Sequence, residues 1–235
     1  MRIDRRDLLR ATAVGAAGLV VGAGLSDCGG SSAPPTTTVP ARPAVTPATP
    51  ATWRQLAASL SGRLVRRGDP GYPLGHLLYN PKFDSLSPVA IAYCATPSDV
   101  ARSLGFARDH GYAVAPRSGG HSYGGYSSGN NRLVIDVTNM RGVTPAAAPG
   151  GIAHVGAGAR LVDVYNTLGN AGQLVPGGSC PSVGIAGLTL GGGVGVFARR
   201  YGLAADNVAA VTVVTADGVT RQCTPGSEAD LYWAC

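Results

Sequence analysis

Two glycine-rich segments constrain the fold of this chain more than any other feature. Residues 117–129 read RSGGHSYGGYSSG, and residues 177–195 read GGSCPSVGIAGLTLGGGVG. Glycine makes up 35 of the 235 residues, about twice its average usage, and much of it lies in clusters. Because glycine removes Cβ bulk and exposes backbone N–H groups, such clusters favour close approach of the backbone to a ligand. A compositional bias is the alternative, since Lys82 is the only lysine among 19 basic residues.

The hydrophobic pattern of the chain predicts an α+β fold. We expect helices over residues 52–67, 100–109 and 162–169, and strands over residues 89–94, 112–115, 132–137, 154–157 and 208–215. Ser98 and Asp99 are the expected cap of the second helix, and Asp217-Gly218 predicts a hairpin with residues 219–224. The apolar run over 208–215 is typical of a buried strand. A chain of this length buries enough surface to fold without a disulfide or a metal.

Charge and residue spacing argue against two common kinds of partner. The formal net charge is +6, but four arginines lie among the first ten residues beside two aspartates. Aromatic residues are 6% of the chain, and no basic stripe interleaved with aromatics is present, which disfavours a nucleic-acid surface. The cysteines form no C-x-x-C and the four histidines form no H-x-x-x-H spacing, which disfavours a metal site.

The N-terminal residues have the order of an export signal. Residues 4–10, DRRDLLR, precede an uncharged apolar run over residues 11–25, which is short for a membrane span. The pair Arg5-Arg6 followed by Leu8-Leu9 resembles the twin-arginine signal of proteins that are exported already folded. We therefore assign residues 1–27 to a twin-arginine-type signal; an ordinary secretory signal is the alternative.

The segment that follows the signal resembles a lipoprotein anchor and a tether. Leu25-Ser26-Asp27-Cys28 resembles a lipoprotein processing box, although Asp27 stands where a small residue is expected. The Pro/Thr-rich composition of residues 28–50 is typical of an extended tether. These features predict lipidation of Cys28 and an extracellular or cell-surface lipoprotein, whose only membrane contact is the anchor. Alternatively, Cys28 is a bystander near a cleavage site.

Two shorter glycine motifs fail the test of structural context. Residues 125–129 fit G-x-S-x-G, but the hydrolase elbow needs a strand before the serine and a helix after it, whereas here a glycine loop precedes and a strand follows. Residues 193–198 fit G-x-G-x-x-A, but the helix expected after a dinucleotide fingerprint is short and carries Gly202 in its middle. Neither pattern accounts for both glycine segments.

Together, the two segments resemble the flavoenzymes of the vanillyl-alcohol oxidase superfamily, most closely the berberine bridge enzyme-like branch. The resemblance is carried by RSGGHS at 117–122, by the segment 177–195 and by RRYGLAADNV at 199–208, and it extends from about residue 79 to residue 233. It implies an α+β, PCMH-type FAD-binding domain over residues 51–235. Its two α/β subdomains would span about 51–143 and 144–235, with the substrate domain absent.

The resemblance also implies how FAD is held. A diphosphate is bound best by converging backbone N–H groups, which glycines expose. The first segment would cradle the diphosphate, Gly184 and Gly187 would permit close approach to the flavin, and residues 207–208 would act through their main chain. The residues implied to contact FAD are Arg117, Ser118, Gly119, Gly120, Ser122, Gly178, Val183, Gly184, Gly187, Asn207 and Val208.

Two side chains match the family's covalent attachment points. His121 matches the imidazole bonded to the 8α carbon of the isoalloxazine, and Cys180 matches the sulfur bonded to C6. Both are nucleophiles toward an electron-poor ring, and a covalently attached cofactor cannot be lost outside the cell. The alternative is that His121 is a hydrogen-bond donor of the loop and Cys180 a small buried filler.

The activity implied by the resemblance is that of a FAD-dependent oxidoreductase. Family members transfer a hydride to the flavin from an alcohol, a sugar or an amine-adjacent carbon, and return the electrons to oxygen. The catalytic base and the sheet over the substrate face come from the region after this chain in the resembled enzymes, so we expect a truncated cofactor-binding half. A non-catalytic flavin-binding fragment or remnant is the alternative.

Overall fold

The computed structural model describes residues 46–235. The predicted signal at residues 1–27 and the predicted lipidation of Cys28 lie outside the described residues. No helix among the described residues is long and apolar enough to cross a membrane.

The described chain contains short helices and strands in mixed order. The helices are α1 (Pro50–Ser59), α2 (Tyr72–Gly75), α3 (Pro97–Asp109), α4 (Leu161–Asn170), α5 (Ile185–Leu190), α6 (Ala198–Tyr201) and α7 (Ala229–Ala234), with 3₁₀ turns at Pro81–Phe83 and Ala205–Asn207. The strands are β1 (Arg63–Arg66), β2 (Ala90–Tyr93), β3 (Val114–Arg117), β4 (Leu133–Asp136), β5 (Val143–Thr144), β6 (His154–Val155), β7 (Val211–Val214) and β8 (Thr220–Cys223).

A four-stranded sheet positions the first glycine segment. Its strand order is β1-β2-β4-β3, with β1 antiparallel to β2 and with both β2 and β3 parallel to β4. Arg117 at the end of β3 is paired in register with Asp136 at the end of β4. The segment 118–129 therefore leaves the sheet at the carboxyl edge of its parallel strands, where open α/β sheets commonly bind ligands.

Alternating side chains of the sheet build two cores. On one face, Ala90 and Ala92 of β2 pack with Trp53 and Leu56 of α1 and with residues of α3. On the other face, Ile91 joins residues of β3 and β4 in a second, smaller cluster. This period of two is the pattern expected of a strand buried on both faces. The predicted strands over 89–94 and 132–137 are thereby confirmed.

The predicted helix over residues 52–67 is wrong in its second half. The helix α1 ends at Ser59, and Arg63–Arg66 form strand β1, which pairs with Ala90–Tyr93. Gly62 lies so close to the neighbouring strand that an added Cβ atom would stand 1.8 Å from the carbonyl oxygen of Tyr93. Pairing with the sheet edge therefore outweighs the helical spacing of the apolar residues in this segment.

Two other local expectations also need correction. The cap of α3 is Thr96, whose side-chain oxygen accepts a hydrogen bond from Asp99 N; Ser98 and Asp99 lie inside the first turn of the helix. Within the expected buried strand over 208–215, only Val211–Val214 form strand β7, which is partly exposed; among residues 46–235 its one strand partner is β8. The hairpin turn at Asp217-Gly218 is confirmed, since Gly218 has φ of +82° and β7 pairs with β8 in register.

The helix α4 positions the second glycine segment. Its buried face, Leu161, Val164 and Leu168, packs against Ile185 of α5. Leu161 N donates a hydrogen bond to the carbonyl oxygen of Val183 at 2.9 Å, and Ile185 N donates to Ala159 O at 2.9 Å. The start of α4 thus holds residues 183–185 by backbone hydrogen bonds on both sides.

Asp99 ties α1 and β2 to α3 from a buried position. Its carboxylate accepts backbone hydrogen bonds from Ser61 N (2.9 Å), Gly62 N (3.1 Å) and Ala95 N (2.9 Å). Burial alone would raise the pKa of this carboxyl group, but these donors hold its pKa below the ordinary value.

We expect Asp99→Ala to destabilise the fold by about 3 kcal/mol in urea unfolding, because three partly buried N–H groups lose their acceptor. Because the folded-state pKa of Asp99 is depressed, its contribution is complete above the unfolded pKa of about 4 and is lost as the pH falls further. The difference between wild type and variant should therefore shrink in acid. Asp109→Ala is the control, since Asp109 pairs with Arg108 on the surface; a loss as large in this control would contradict the assignment.

Candidate cofactor site

The two glycine segments touch each other through their backbones. A Cβ atom added at Gly119 would lie 2.2 Å from Gly184 N, and one added at Gly184 would lie 2.3 Å from Gly119 N and 2.1 Å from Ser118 Oγ. No side chain larger than hydrogen fits at either position without displacing the other segment. The contact requires glycine on both sides and brings residues about 65 apart in the chain into one site.

The first segment presents a row of backbone donors. The N–H groups of residues 118–124 make no hydrogen bond to another described residue. Gly120 within this row has φ of +72°, in the left-handed region that glycine adopts without strain. Successive unpartnered amides around such a residue form a concavity suited to an anion.

The serine hydroxyls of this segment are used to hold the loop. Ser118 Oγ donates to the carbonyl oxygen of Ala157 at 2.7 Å, and Ser122 Oγ accepts from Tyr126 N at 3.1 Å. Tyr79 N donates to Gly120 O at 3.2 Å. The side chains expected at a diphosphate therefore fix the loop, and its backbone amides are left to face a ligand.

His121 is held in a defined orientation by two contacts. Its ring stacks on the ring of Tyr79, with centroids 3.9 Å apart, and its Nε2 lies 3.0 Å from Ser182 Oγ. Burial, together with the positive charge of Arg160, holds the pKa of His121 below its usual value. The imidazole is therefore neutral near pH 7, with a lone pair on one ring nitrogen.

Ser182 also lies against the second candidate attachment residue. The distance from Cys180 Sγ to Ser182 Oγ is 3.6 Å, and Cys180 is a free cysteine. One hydroxyl is thus within hydrogen-bond reach of both His121 and Cys180. Ser182 was not predicted from the sequence as a site residue. The one indication there is that its hydroxyl follows Cys180 by two residues.

Arg117 is committed chiefly to the scaffold. Its Nε donates to Asp136 Oδ2 at 2.5 Å, and both side chains are buried. Asp136 Oδ1 in turn accepts a hydrogen bond from Thr138 N at 2.9 Å. Nη1 of Arg117 is buried without a hydrogen-bond partner among the described residues. The pair joins the ends of β3 and β4 and leaves one cationic donor beside the start of the loop.

The remaining candidate residues of the second segment, Gly178, Val183 and Gly187, differ in their contacts with the rest of the chain. The carbonyl oxygen of Gly178 accepts from Tyr165 Oη at 2.5 Å, and that of Val183 accepts from Leu161 N. Gly187 is exposed, and an added Cβ there would meet nothing within 4 Å. Packing within the described chain therefore gives no reason for glycine at 187.

Residues 207 and 208 lie in a loop that packs on the end of the second segment. Ala204 N donates to Gly193 O at 3.1 Å. Asn207 Nδ2 donates to the carbonyl oxygens of Tyr201 and Leu203, both at 2.9 Å, and the carbonyl oxygen of Val208 accepts from Tyr232 Oη at 2.5 Å. Neither residue has a hydrogen bond to residues 117–122 or 177–187.

Comparison with known proteins identifies the domain. A family described as FAD binding domain matches residues 88–224, which is more than half of the chain. The (R)-6-hydroxynicotine oxidase of Paenarthrobacter nicotinovorans is 37% identical over 63% of this chain and 32% of its own length. The structure of Physcomitrella patens BBE-like 1 matches with a TM-score of 0.73 and 36% identity, covering 77% of this chain and 39% of that chain. Glucooligosaccharide oxidase from Acremonium strictum, whose structure is described as having a 6-S-cysteinyl, 8α-N1-histidyl FAD, matches with a TM-score of 0.70 and 29% identity over 76% of this chain and 38% of that chain.

The chain belongs to the FAD binding domain family. The relatives it matches include a flavin oxidase and a berberine bridge enzyme-like protein, in agreement with the resemblance noted in the sequence. The expected α+β, PCMH-type fold is confirmed. The chain spans only 32% to 39% of the lengths of these relatives.

The residues present fit FAD. The amides of residues 118–124 are suited to a diphosphate, and Nη1 of Arg117 adds an unpartnered cationic donor at the start of that row. The two glycines in backbone contact leave no side chain at the junction of the segments. His121 and Cys180 supply two nucleophilic atoms on either side of Ser182.

Proposed function

We propose that this chain is the cofactor-binding part of an oxidase-type FAD-dependent oxidoreductase, with FAD bonded covalently through His121 and Cys180. The observation that carries the proposal is the placement of both nucleophiles around one hydroxyl, beside a row of unpartnered amides. The relative from Acremonium strictum, described as having a cysteinyl and histidyl FAD, supports the same pair of bonds.

The donors of the first segment account for binding of the diphosphate. The backbone N–H groups of residues 118–124 would hold its oxygens, and the Arg117 guanidinium would add positive charge beside them. Gly119 and Gly184 would allow the backbone to approach the cofactor closely. We assign supporting backbone contacts to the other members of the two segments and to the loop that follows, namely Gly120, Ser122, Gly178, Val183, Gly187, Asn207 and Val208.

The imidazole is prepared for attachment by its surroundings. Stacking on Tyr79 fixes the ring plane, and the contact of Nε2 with Ser182 leaves Nδ1 without a hydrogen bond to any described residue. Because the pKa of His121 is lowered, the neutral ring retains a nucleophilic lone pair near pH 7. His121 is therefore assigned a nucleophile's role rather than that of a loop donor.

FAD, once bound, would supply the capacity to accept a hydride from a substrate carbon and to pass the electrons to dioxygen. The relatives are oxidases of a hydroxylated nicotine and of a glucooligosaccharide by name. We propose the corresponding substrate range for the whole protein, namely an alcohol, a sugar or an amine-adjacent carbon. The chain's own contribution is to bind and orient the cofactor.

The covalent attachment of FAD can be tested on chain that is expressed with a full riboflavin supply. Intact mass measures the retained FAD, and peptide mapping locates it. We expect FAD to remain on the denatured chain, and His121→Ala to reduce the retained FAD to about half or less, since one of two bonds is lost. His154→Ala is the control, because His154 is exposed on β6, away from these contacts. Folded wild-type chain that carries no FAD would overturn the proposal.

A second measurement separates the oxidase from a non-catalytic flavin-binding remnant. Peroxide release with alcohols, sugars and amines is expected from FAD-loaded protein that includes its substrate region, because the flavin then reacts with both substrate and oxygen. Retained flavin without peroxide on any of these substrates would favour the remnant instead.

We propose that the protein is exported through the twin-arginine route and is anchored at the cell surface through a lipid on Cys28. Arg5-Arg6 and the apolar run after them support this route. Replacing Arg5 and Arg6 with lysine should retain the protein in the cytoplasm, as judged by cell fractionation. Cys28→Ala is a separate variant, which should be exported but released from the surface. Undiminished export of the double-lysine variant would refute the route.

A further inference from the structure

Among the described residues, Ser182 is the side chain within hydrogen-bond range of both candidate attachment residues. Its Oγ lies 3.0 Å from His121 Nε2 and 3.6 Å from Cys180 Sγ, and both distances are within hydrogen-bond range for the atoms concerned. The two attachment residues are 59 positions apart in sequence. The hydroxyl of Ser182 is therefore placed to form hydrogen bonds with both nucleophiles.

The position of Ser182 is fixed by backbone contacts on several sides. Val183 N donates to Cys180 O at 3.3 Å, which closes a turn around Ser182. Val162 N, in the first turn of α4, donates to Pro181 O at 3.1 Å. The carbonyl oxygen of Ser182 would lie 3.0 Å from a Cβ atom at Gly119, so the first segment packs directly on it. The hydroxyl is thus presented from an anchored turn.

Proton counting distinguishes two arrangements of this group. A neutral imidazole has one N–H and one lone pair, and a hydroxyl has one hydrogen to donate. If Ser182 donates to Nε2, the ring proton resides on Nδ1, which then has no lone pair to form a bond. If Nε2 donates to Ser182 instead, Nδ1 has the lone pair and the hydroxyl hydrogen is available to sulfur.

We propose that Ser182 is a positioning residue for covalent attachment of FAD: it accepts the Nε2 proton of His121 and donates its own hydrogen to Cys180 Sγ. This inference rests on the proposed function. The arrangement fixes the tautomer that leaves Nδ1 nucleophilic, and the hydrogen bond donated to sulfur orients the Cys180 side chain beside the same hydroxyl. One hydroxyl thereby prepares both nucleophiles.

Each attachment is a two-electron oxidation of the bonded atoms, with the isoalloxazine as the electron acceptor. At His121, a C–H bond of the 8α carbon and the imidazole N–H bond break and a C–N bond forms. At Cys180, the C6–H and S–H bonds break and a C–S bond forms. In each case the two hydrogens and two electrons reduce the isoalloxazine, and dioxygen reoxidises it with release of hydrogen peroxide.

The test compares Ser182→Ala and Ser182→Thr in the full chain. Chain freed of flavin by growth under riboflavin limitation is mixed with FAD, and acid-stable flavin at the His121 and Cys180 peptides is followed over time. We expect Ser182→Ala to slow attachment at both peptides about tenfold, the effect of losing one hydrogen bond that orients a reacting group. Binding of non-covalent FAD, measured by absorbance after gel filtration, should stay within about twofold, since its binding is assigned to backbone donors.

Two controls separate positioning from a structural effect. Ser182→Thr retains the hydroxyl and should restore attachment, whereas a purely steric role would leave both variants equally slow. Ser179→Ala removes an exposed hydroxyl from the same segment and should attach FAD like wild type. Thermal unfolding of the flavin-free variants should match that of wild type.

The outcomes separate this inference from the proposed function. Attachment to Ser182→Ala at the wild-type rate, slowing at only one of the two peptides, or failure of Ser182→Thr to restore the rate would overturn the role of Ser182 and leave the function standing. Wild-type chain that attaches FAD at neither peptide would overturn the covalent attachment itself, and the role of Ser182 with it.

Discussion

The backbone contact between Gly119 and Gly184 is the constraint on which the candidate site depends. Each glycine occupies the space where a Cβ atom of the other would stand. The contact brings the amide row of the first segment against the turn that holds Cys180 and Ser182. A methyl group at either position would push the two segments apart. The distance of 3.0 Å between His121 Nε2 and Ser182 Oγ would then lengthen, and the hydrogen bond between them would be lost. The glycine requirement is thus a matter of reach between nucleophiles as well as of room for a ligand.

The scaffold delivers the two segments to this contact from separate directions. The first leaves the four-stranded sheet where the buried pair of Arg117 and Asp136 joins the ends of β3 and β4. The second is held by backbone hydrogen bonds to the start of α4, including Leu161 N to Val183 O. Buried ion pairs depend strongly on geometry because both charges are removed from water. A rigid origin for the first segment and an anchored turn in the second explain how loops with so few large side chains hold defined positions.

The sequence was informative where local chemistry decides the structure. The buried strands β2 and β4, the helix α4 and the hairpin at Asp217-Gly218 all carry their own patterns, and the two long glycine motifs identified the family. The sequence was not informative where contacts between residues distant in the chain determine the structure. The strand β1 exists because residues 63–66 pair with 90–93, which helical spacing could not indicate. Ser182 acquired a candidate role only when folding brought His121 to its hydroxyl, 61 residues away in sequence.

The proposed covalent attachment of FAD and the proposed export of the folded protein together constrain the site. A protein exported in its folded state has to bind its cofactor in the cytoplasm, and no supply replaces a cofactor that dissociates afterwards. Non-covalent binding through backbone amides is reversible, whereas bonds to an imidazole and a thiol are not lost on dilution. On this proposal, the bonds to both nucleophiles would have to form before the non-covalently bound cofactor dissociates. The Ser182 hydroxyl on its anchored turn would meet this demand, because one preorganised group would position both atoms without a conformational change between the two reactions.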